Sequence, residues 1–547
     1  MWGQGLWAAS LLEYHGGCEQ RFLKEDAVER FVARFRAFVT AVVSGFDRLV
    51  FRGHLPRLMR RGGMFFFLEA AGVRLLEFKD FVVATTERVK KASLAQARKL
   101  DRPVRYLDSP TIDKEDLARQ LLAEYPVRQG LICVLTALEP CMTFEYHRSP
   151  DRDQRGLRLR PGKCLHLYKY FLHPRFGFMN ARIQTWFPFN VQICMNGREW
   201  LARQFERQHR PDFKRAGNCF TWLGNPDLAQ RRLNQQLTTD WPPALDAIAR
   251  SLNPLHPMIF EHSPMDYYWS AYHTEWATDV MFTDPRTLAD IYPRLVRHAT
   301  EQFKSPDVMR FLAQKQPHGC FTGDLVTSFK DRPEGIRVKH WVRGNSVKMY
   351  DKAGSILRVE TTIADTRDFK VLRPSSSDPD ATMQWLPLRK GVADLHRRAH
   401  VSQRSNDSYL DALAAVDDTT PCAQLFDAVS RPVFDTSGRR ARALRLGDRD
   451  DLTLLQAISR GEFATAGFRN RDLRPLLDPD ISHASPDNVR RLASRVSYRL
   501  RLLRAHGIIR KIPKTHRYRL TTRGQLLTAA LFAARRANIK QLTAMAA

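Results

Sequence analysis

The chain has 547 residues, room for roughly three or four domains, and is 43% hydrophobic and 27% charged. Its 87 Lys and Arg against 58 Asp and Glu leave a formal charge of +29. That excess points to a polyanionic partner, nucleic acid ahead of a membrane surface.

Eight cysteines are scattered without a repeating spacing, which argues against a small disulfide scaffold. No apolar run approaches the about 18 residues of a membrane-spanning helix. The opening MWGQGLWAASLLEYHGG lacks a basic region and a small-residue cleavage site. A cytoplasmic chain with reduced thiols is the expectation.

In chain order, residues 1–150 read as an α/β region. Glu29–Val43 (ERFVARFRAFVTAVV) has helical spacing, and GFDRLVFRGHL after it reads as a strand. KEDLARQLLAEY (114–125) predicts a helix and QGLICVLTAL (129–138) a buried strand. Residues 151–372 are expected as an α+β core. Within it, ARIQTWFPFNVQICMNGREWLARQFERQ alternates like a strand, turns at Asn196-Gly197 and enters a helix. EWATDVMF reads as a strand, PRTLADIYPRLVRHATEQF as a helix, and a hairpin follows. RPSSSDPD (373–380) has a linker composition, 391–416 is helical, and DTSGRRARALRLGDRDD (435–451) reads as a second, charged linker. Residues 373–450 are thus a linker and helical region.

Some local signals have plain readings. Cys164, His166 and His173 lack a second ligand pair at zinc spacing, so core packing or solvated imidazoles are expected. Trp186, Phe187 and Phe189 stand among arginines and can stack bases, but core packing is the better expectation. YYWSAY (267–272) is likewise expected in the core.

The last unit, 451–547, has a clearer layout. DLTLLQAISRGEF (451–463) is amphipathic, and NRDLRPLL begins at Asn470 as an N-cap with Asp472 in the first turn. Ser485 caps a third helix with Pro486 at its first position and Gly507 past its end. Val489, Leu492, Val496, Leu500 and Leu503 form its apolar stripe; Asn488, Arg491, Arg495, Tyr498 and Arg499 lie opposite. The strands IIRKI and HRYRL follow, and Thr521 caps a closing helix. The run SRVSYRLRLLRAHGIIRKIPKTHRYRLTTRGQLL resembles the winged helix-turn-helix domains of bacterial regulators of the multiple-antibiotic-resistance type. From Ser485 onward the chain has 15 Lys and Arg and one acid, Asp487. The resemblance implies a third helix in the major groove and a wing, with Lys511, Lys514, Arg517 and Arg519, on the backbone.

The hairpin NSVKMYDKAGSILRVETTI (345–363) carries the most unusual face. Alternation puts Lys348, Tyr350 and Lys352 on one side, together with Arg358, Glu360 and Thr362 of the return strand. The polar pattern favours a three-residue loop at 353–355, with Lys348 opposite Glu360 and Tyr350 opposite Arg358. Cations around a tyrosine lower the cost of a phenolate and stabilise an attacked phosphate; a glutamate on the same sheet can hold a divalent metal. An exposed sheet face that merely grips phosphates is the plainer reading.

HTEWATDVMF (273–282), read as a strand, puts Glu275 and Asp279 on one face. The order of this strand, a helix, then K-x-Y-D-K and L-R-x-E resembles the catalytic core of rolling-circle replication initiators of plasmids and filamentous phages. The resemblance implies Tyr350 as nucleophile, Lys348, Lys352 and Arg358 as catalytic cations, and Glu275, Asp279 and Glu360 as ligands for Mg²⁺ or Mn²⁺. The sequence departs from that group in lacking a His-hydrophobic-His motif.

Two functions follow. One is a DNA-binding protein with a C-terminal winged helix that nicks or transfers strands, as a mobile-element initiator does, using a divalent metal. The other is a non-enzymatic DNA-binding regulator with a structural α/β core and no cofactor. Double-stranded DNA is the expected partner, a membrane is not, and a homodimer is left open. The expected fold is multidomain α/β (α+β), a mixed or antiparallel sheet followed by the winged helix.

Overall fold

The computed structural model describes residues 28–538, apart from 110, 148–155, 209–211, 314–323, 332–335, 376–382, 417–420, 436, 462, 464–466 and 513–514. The chain opens with α1 (Val28–Arg34) and β1 (Val39–His54), then α2 (Arg61–Ala70), α3 (Phe78–Lys99), β2 (Val104–Leu107) and α4 (Lys114–Glu124). Next come β3 (Gly130–His147), β4 (Gly156–His173), β5 (Gly177–Gln184), β6 (Val191–Asn196) and α5 (Gly197–Arg207). A small hairpin, β7 (Phe213–Arg215) and β8 (Phe220–Leu223), precedes α6 (Pro226–Thr238) and α7 (Trp241–Leu252). Then follow β9 (Tyr268–Phe282), α8 (Pro285–Glu301), α9 (Ser305–Phe311), β10 (Leu325–Lys330), β11 (Arg337–Val342), β12 (Asn345–Lys352) and β13 (Ile356–Ile363).

Eleven of these strands form one sheet, ordered β10-β11-β12-β13-β9-β1-β6-β5-β4-β3-β2. The sheet is mixed: β2 runs parallel to β3, whereas the hairpin pairs are antiparallel. The expected helix over Glu29–Val43 stops at Arg34. Val39, Thr40, Val42 and Val43 are β-branched, which disfavours helix, and they enter β1, which pairs with β9 on one edge and β6 on the other. A central strand with two partners outweighs a local 3.6-residue period.

The hairpin register is the expected one: Lys352 opposes Ile356, Tyr350 opposes Arg358 and Lys348 opposes Glu360. Ala353 and Gly354 close the loop with φ of 55° and 78°, the left-handed region that glycine enters at little cost. The apolar face, Val347, Met349, Leu357 and Val359, packs with Leu288, Leu295 and Leu410 in one core cluster. A second cluster, around Phe46, Leu49, Phe51, Trp200 and Trp241, fills the space under α5 and α7.

Some local expectations shift. The single strand expected before α5 is two, β5 and β6, and Asn196 is not a turn residue. It caps α5, its side chain accepting from Arg198 N (2.8 Å) and Glu199 N (3.0 Å). Phe187 and Phe189 are buried in the core as expected. In YYWSAY, Trp269 and Ala271 are buried but Tyr268 and Tyr272 are exposed, because strand alternation sends them to opposite faces.

The expected linker 373–380 begins inside a strand: Arg373 and Pro374 end β14 (Lys370–Pro374), which pairs with β15 (Met383–Pro387), and 376–380 lie outside the described residues. The helix after them, α10 (Leu395–Leu413), lies on the sheet. Its Gln403 accepts from Trp276 Nε1 (2.7 Å), and its Asn406 accepts from Thr361 Oγ1 (2.7 Å) and donates to Trp276 O (3.0 Å).

The C-terminal unit has its own core, in which Leu455, Leu473, Val496, Leu503 and Leu527 are buried. It contains α11 (Arg449–Ile458), α12 (Asn470–Leu477), α13 (Pro486–Ala505), the hairpin β16 (Ile509–Lys511) and β17 (Tyr518–Leu520), and α14 (Thr522–Arg536). Ser485 and Thr521 cap α13 and α14 as expected. Asn470 does not cap α12; Arg469 holds that position. Asn470 instead donates to Ala493 O (2.7 Å) and Ser497 Oγ (2.8 Å), tying α12 to α13.

Asp411 of α10 is 4% exposed, and its nearest cation is Arg30 at 4.0 Å. Burial pushes its carboxyl up to about 7, which Arg30 only partly offsets. The folded state therefore keeps a proton that the unfolded chain releases near the ordinary value. Stability from this group is full below that value and is lost as pH rises to about 7. Asp411→Asn should raise stability at pH 8 by ~1–3 kcal/mol and flatten the loss between pH 4 and 7, measured by thermal melts across pH.

Candidate metal centre on the hairpin sheet

Strand pairing brings the polar residues of four strands together. Lys348 and Tyr350 on β12 face Glu360 and Arg358 on β13. Arg358 then faces Asp279 on β9, and Thr362 faces Glu275. On β1, Arg48 pairs with Glu275, and a register shift between Phe46 and Arg48 leaves Asp47 outside the paired positions. Such an irregularity re-aims a side chain. Asp47 is 6% exposed, and its carboxylate joins those of Glu275 and Glu360, all three offering oxygens within 4.8 Å of one another.

Tyr350, half-buried, donates its hydroxyl to Glu360 Oε2 (2.9 Å), and Lys348 Nζ lies 2.7 Å from Glu360 Oε1. Both Lys348 and Lys352 lie over the Tyr350 ring, 5.6 and 5.8 Å from its centroid. His273 Nε2 is 3.2 Å from Glu275 Oε1. Of the expected ligands, Glu275 and Glu360 are therefore together, completed by an aspartate that the sequence did not single out.

Asp279 is not part of this cluster. Arg358 binds it through Nε (2.5 Å) and Nη2 (2.9 Å), and Arg198 of α5 through Nε (3.1 Å) and Nη2 (2.9 Å). Four hydrogen bonds from two fully buried guanidiniums commit Asp279 to the scaffold. Arg358 is likewise no loose catalytic cation. It also donates to Asp47 Oδ1 (3.1 Å) and Asn218 O (3.0 Å), and it is fully buried. Asn218 Nδ2 completes the link by donating to Asp47 Oδ1 (2.9 Å).

Electrostatics separate the groups. Burial pushes Glu360 up to about 7, with Lys348 opposing and the charges of Glu275 and Asp47 adding. Glu275 is also penalised by burial, but the His273 hydrogen bond, Lys348 and Arg48 hold it well below the carboxylate range. Tyr350 is corrected in direction: burial and Glu360 raise it well above its ordinary value, outweighing Arg358. The flanking cations do not by themselves make a phenolate. The remaining donor set, three carboxylates, suits a hard divalent cation such as Mg²⁺ or Mn²⁺. An ion there would add positive charge beside both Glu360 and the tyrosine hydroxyl.

On α13, Asn488, Arg491, Arg495 and Tyr498 are exposed as expected. Arg499 is not, because it pairs with Asp450 of α11 and its side chain is 12% exposed. Lys511 is exposed and Arg519 half-buried. Arg517 is buried: it donates to Gly467 O (2.8 Å) and lies 4.7 Å over the Trp385 ring. Lys514 lies outside the described residues.

Sequence reasoning missed Asp47, Arg198 and Asn218. Asp47 left one signal, an acid inside the apolar run GFDRLVF. Arg198 and Asn218 left none, since ordinary helix and loop residues become partners only through folding. Removing one partner of a buried charge network costs ~3–5 kcal/mol, so Arg358→Leu and Asp279→Ala should destabilise the metal-free protein by that order. Tyr350→Phe should cost only ~1 kcal/mol. Chemical denaturation of the three variants distinguishes the scaffold from the site.

Comparison of the chain with family models, with curated proteins and with solved structures finds no match in any of the three.

Proposed function

We propose that the protein binds DNA through its C-terminal unit and cuts or transfers a strand at the Asp47–Glu275–Glu360 cluster. The observation that carries this reading is a cluster of three carboxylates, one of which, Glu360, accepts the hydroxyl of a side chain able to act as a nucleophile, Tyr350, within a strongly basic chain. Arg48, Lys339 and Lys348 stand beside the cluster, Lys339 directly opposite Lys348. A metal-free pocket of acids would repel a phosphodiester; a divalent ion supplies the charge that binds and polarises it.

The chain's own residues then have definite work. The Tyr350 hydroxyl already points its proton at Glu360. Passing that proton to Glu360 frees the phenolic oxygen to bond to phosphorus as a ribose oxygen leaves, so the protein stays on the DNA. Lys348 and Lys352 sit where the phosphate charge would grow.

The C-terminal unit is read as a winged helix-turn-helix. Three helices, a β-hairpin and a closing helix support this, with α13 presenting Asn488, Arg491, Arg495 and Tyr498 to solvent. That helix fits a major groove and the hairpin a backbone contact. A second reading, a DNA-binding regulator with a structural core, is favoured by one observation: the raised Tyr350 and its closed bond to Glu360.

A gel assay on labelled single-stranded and supercoiled DNA with Mg²⁺ or Mn²⁺ separates the two. The expected result is metal-dependent nicking with protein covalently attached, lost in Tyr350→Phe. Binding without cleavage in either protein supports the regulator. Independently, Arg491→Ala and Arg495→Ala should each weaken duplex binding about uniformly across sequences if they contact phosphate, and reduce the salt slope by ~1. A base contact would instead cost ~1–3 kcal/mol at one position of the site. Fluorescence anisotropy at several salt concentrations reads both.

A further inference from the structure

A second cluster lies elsewhere in the same sheet. On the β3–β4 hairpin, Cys164 pairs with Glu139, and Cys141 with Gly162 two positions on. Cys141 and Cys164 therefore share a face, diagonally across the strands, with sulfurs 3.3 Å apart. His166 is the next residue of β4 on that face, its Nδ1 4.0 Å from Cys164 Sγ. One ligand atom from each of the three lies within 4.8 Å of the others.

The distances discriminate among chemistries. A disulfide needs about 2.05 Å between sulfurs. Two thiolates on a tetrahedral zinc ion sit about 3.8 Å apart, and a thiolate and an imidazole nitrogen about 3.6 Å. The observed spacings, 3.3 and 4.0 Å, are each within about half an ångström of the zinc cage.

A cavity of about 200 Å³ opens beside the cluster, lined by Cys141, His166, Arg52, Arg182, Asn190 and Tyr272 among others. Asn190 is 7% exposed. Its amide nitrogen donates to Gln184 Oε1 (3.3 Å), but its Oδ1 has no partner, and neither does Arg182 Nε. Buried orphan groups of this kind ask for a ligand. Core packing, the ordinary role of a cysteine and a histidine, does not account for a polar cavity with unsatisfied walls.

We propose that Cys141, Cys164 and His166 bind a thiophilic divalent ion of the zinc class, with the fourth coordination position open to the cavity. Arg52 and Arg182 line that opening, so the exchangeable ligand is water or a small anion. His173, the other histidine of the segment, is not involved: it accepts from Arg175 N (3.1 Å) and Phe176 N (3.2 Å) at the turn after β4. The missing ligand in the sequence was Cys141, which reaches the site only across the hairpin. The soft sulfur donors distinguish this site from the carboxylates near Tyr350, and neither depends on the other.

The test uses Co²⁺ as a spectroscopic stand-in for zinc, on the reduced full chain in excess Mg²⁺ to occupy hard-ligand sites. Expected are intense tetrahedral d–d bands in the visible and thiolate-to-cobalt charge transfer in the near ultraviolet, saturating at one ion per chain. Stoichiometric Zn²⁺ should bleach both. Cys164→Ser and His166→Ala should lose or redshape the bands, while Cys422→Ser, at an exposed thiol, leaves them intact. Circular dichroism verifies that each variant is folded; if Cys164→Ser is not, Cys141→Ser, at the half-buried sulfur, takes its place. No charge-transfer band in the reduced wild type overturns the proposal. So does ready formation of a Cys141–Cys164 disulfide, seen as a loss of two mass units, in protein that takes up no metal; the pair would then be a redox element.

Discussion

The structure turns on one buried guanidinium. Arg358 lies at the middle of the sheet, where β13, β9 and β1 run side by side, and it binds Asp279 and Asp47 at once. Ions buried this deeply are costly unless fully paired, and here Arg198 and Asn218 complete the pairing. The network does more than neutralise charge. It fixes the Asp47 carboxylate at the irregular point of β1, and that carboxylate turns two glutamates into a three-oxygen cradle. Stability and site geometry thus rest on the same contacts.

This arrangement divides the two side chains of the arginine-x-glutamate strand between the scaffold and the carboxylate cluster. Alternation sends Arg358 and Glu360 to the same face, two residues apart. One finds Asp279 waiting on β9 and becomes scaffold. The other finds Lys348, Tyr350 and the cradle. On that face Lys348 opposes Glu360 and Arg358 opposes Asp279, and the acids Asp47, Glu275 and Glu360 gather at one point.

The hairpin's register is legible in the sequence because its polar face has strict period two, and period two also sets register. The capping of α13 by Ser485 and α14 by Thr521 was legible for the same local reason. What was not legible depends on distance in sequence. Asp47 sits 228 residues before Glu275 and 313 before Glu360 in the numbering, and the start of its strand has helical spacing as far as Val43. Arg499 and Arg517 look like surface cations from the sequence. Their acceptors, Asp450 for one and Gly467 O for the other, come from elements that only tertiary packing brings near. Cys141 is hidden in the same way by the β3–β4 hairpin.

The central claim is that Asp47, Glu275 and Glu360 hold a divalent cation next to Tyr350. Mn²⁺ binding followed by electron paramagnetic resonance at pH 8 tests it most directly, because it needs neither a DNA target nor turnover. The expected result is one tight ion per wild-type chain, lost in folded Asp47→Asn/Glu275→Gln. No tight Mn²⁺ in the wild type, or binding that survives the double substitution, would contradict the account.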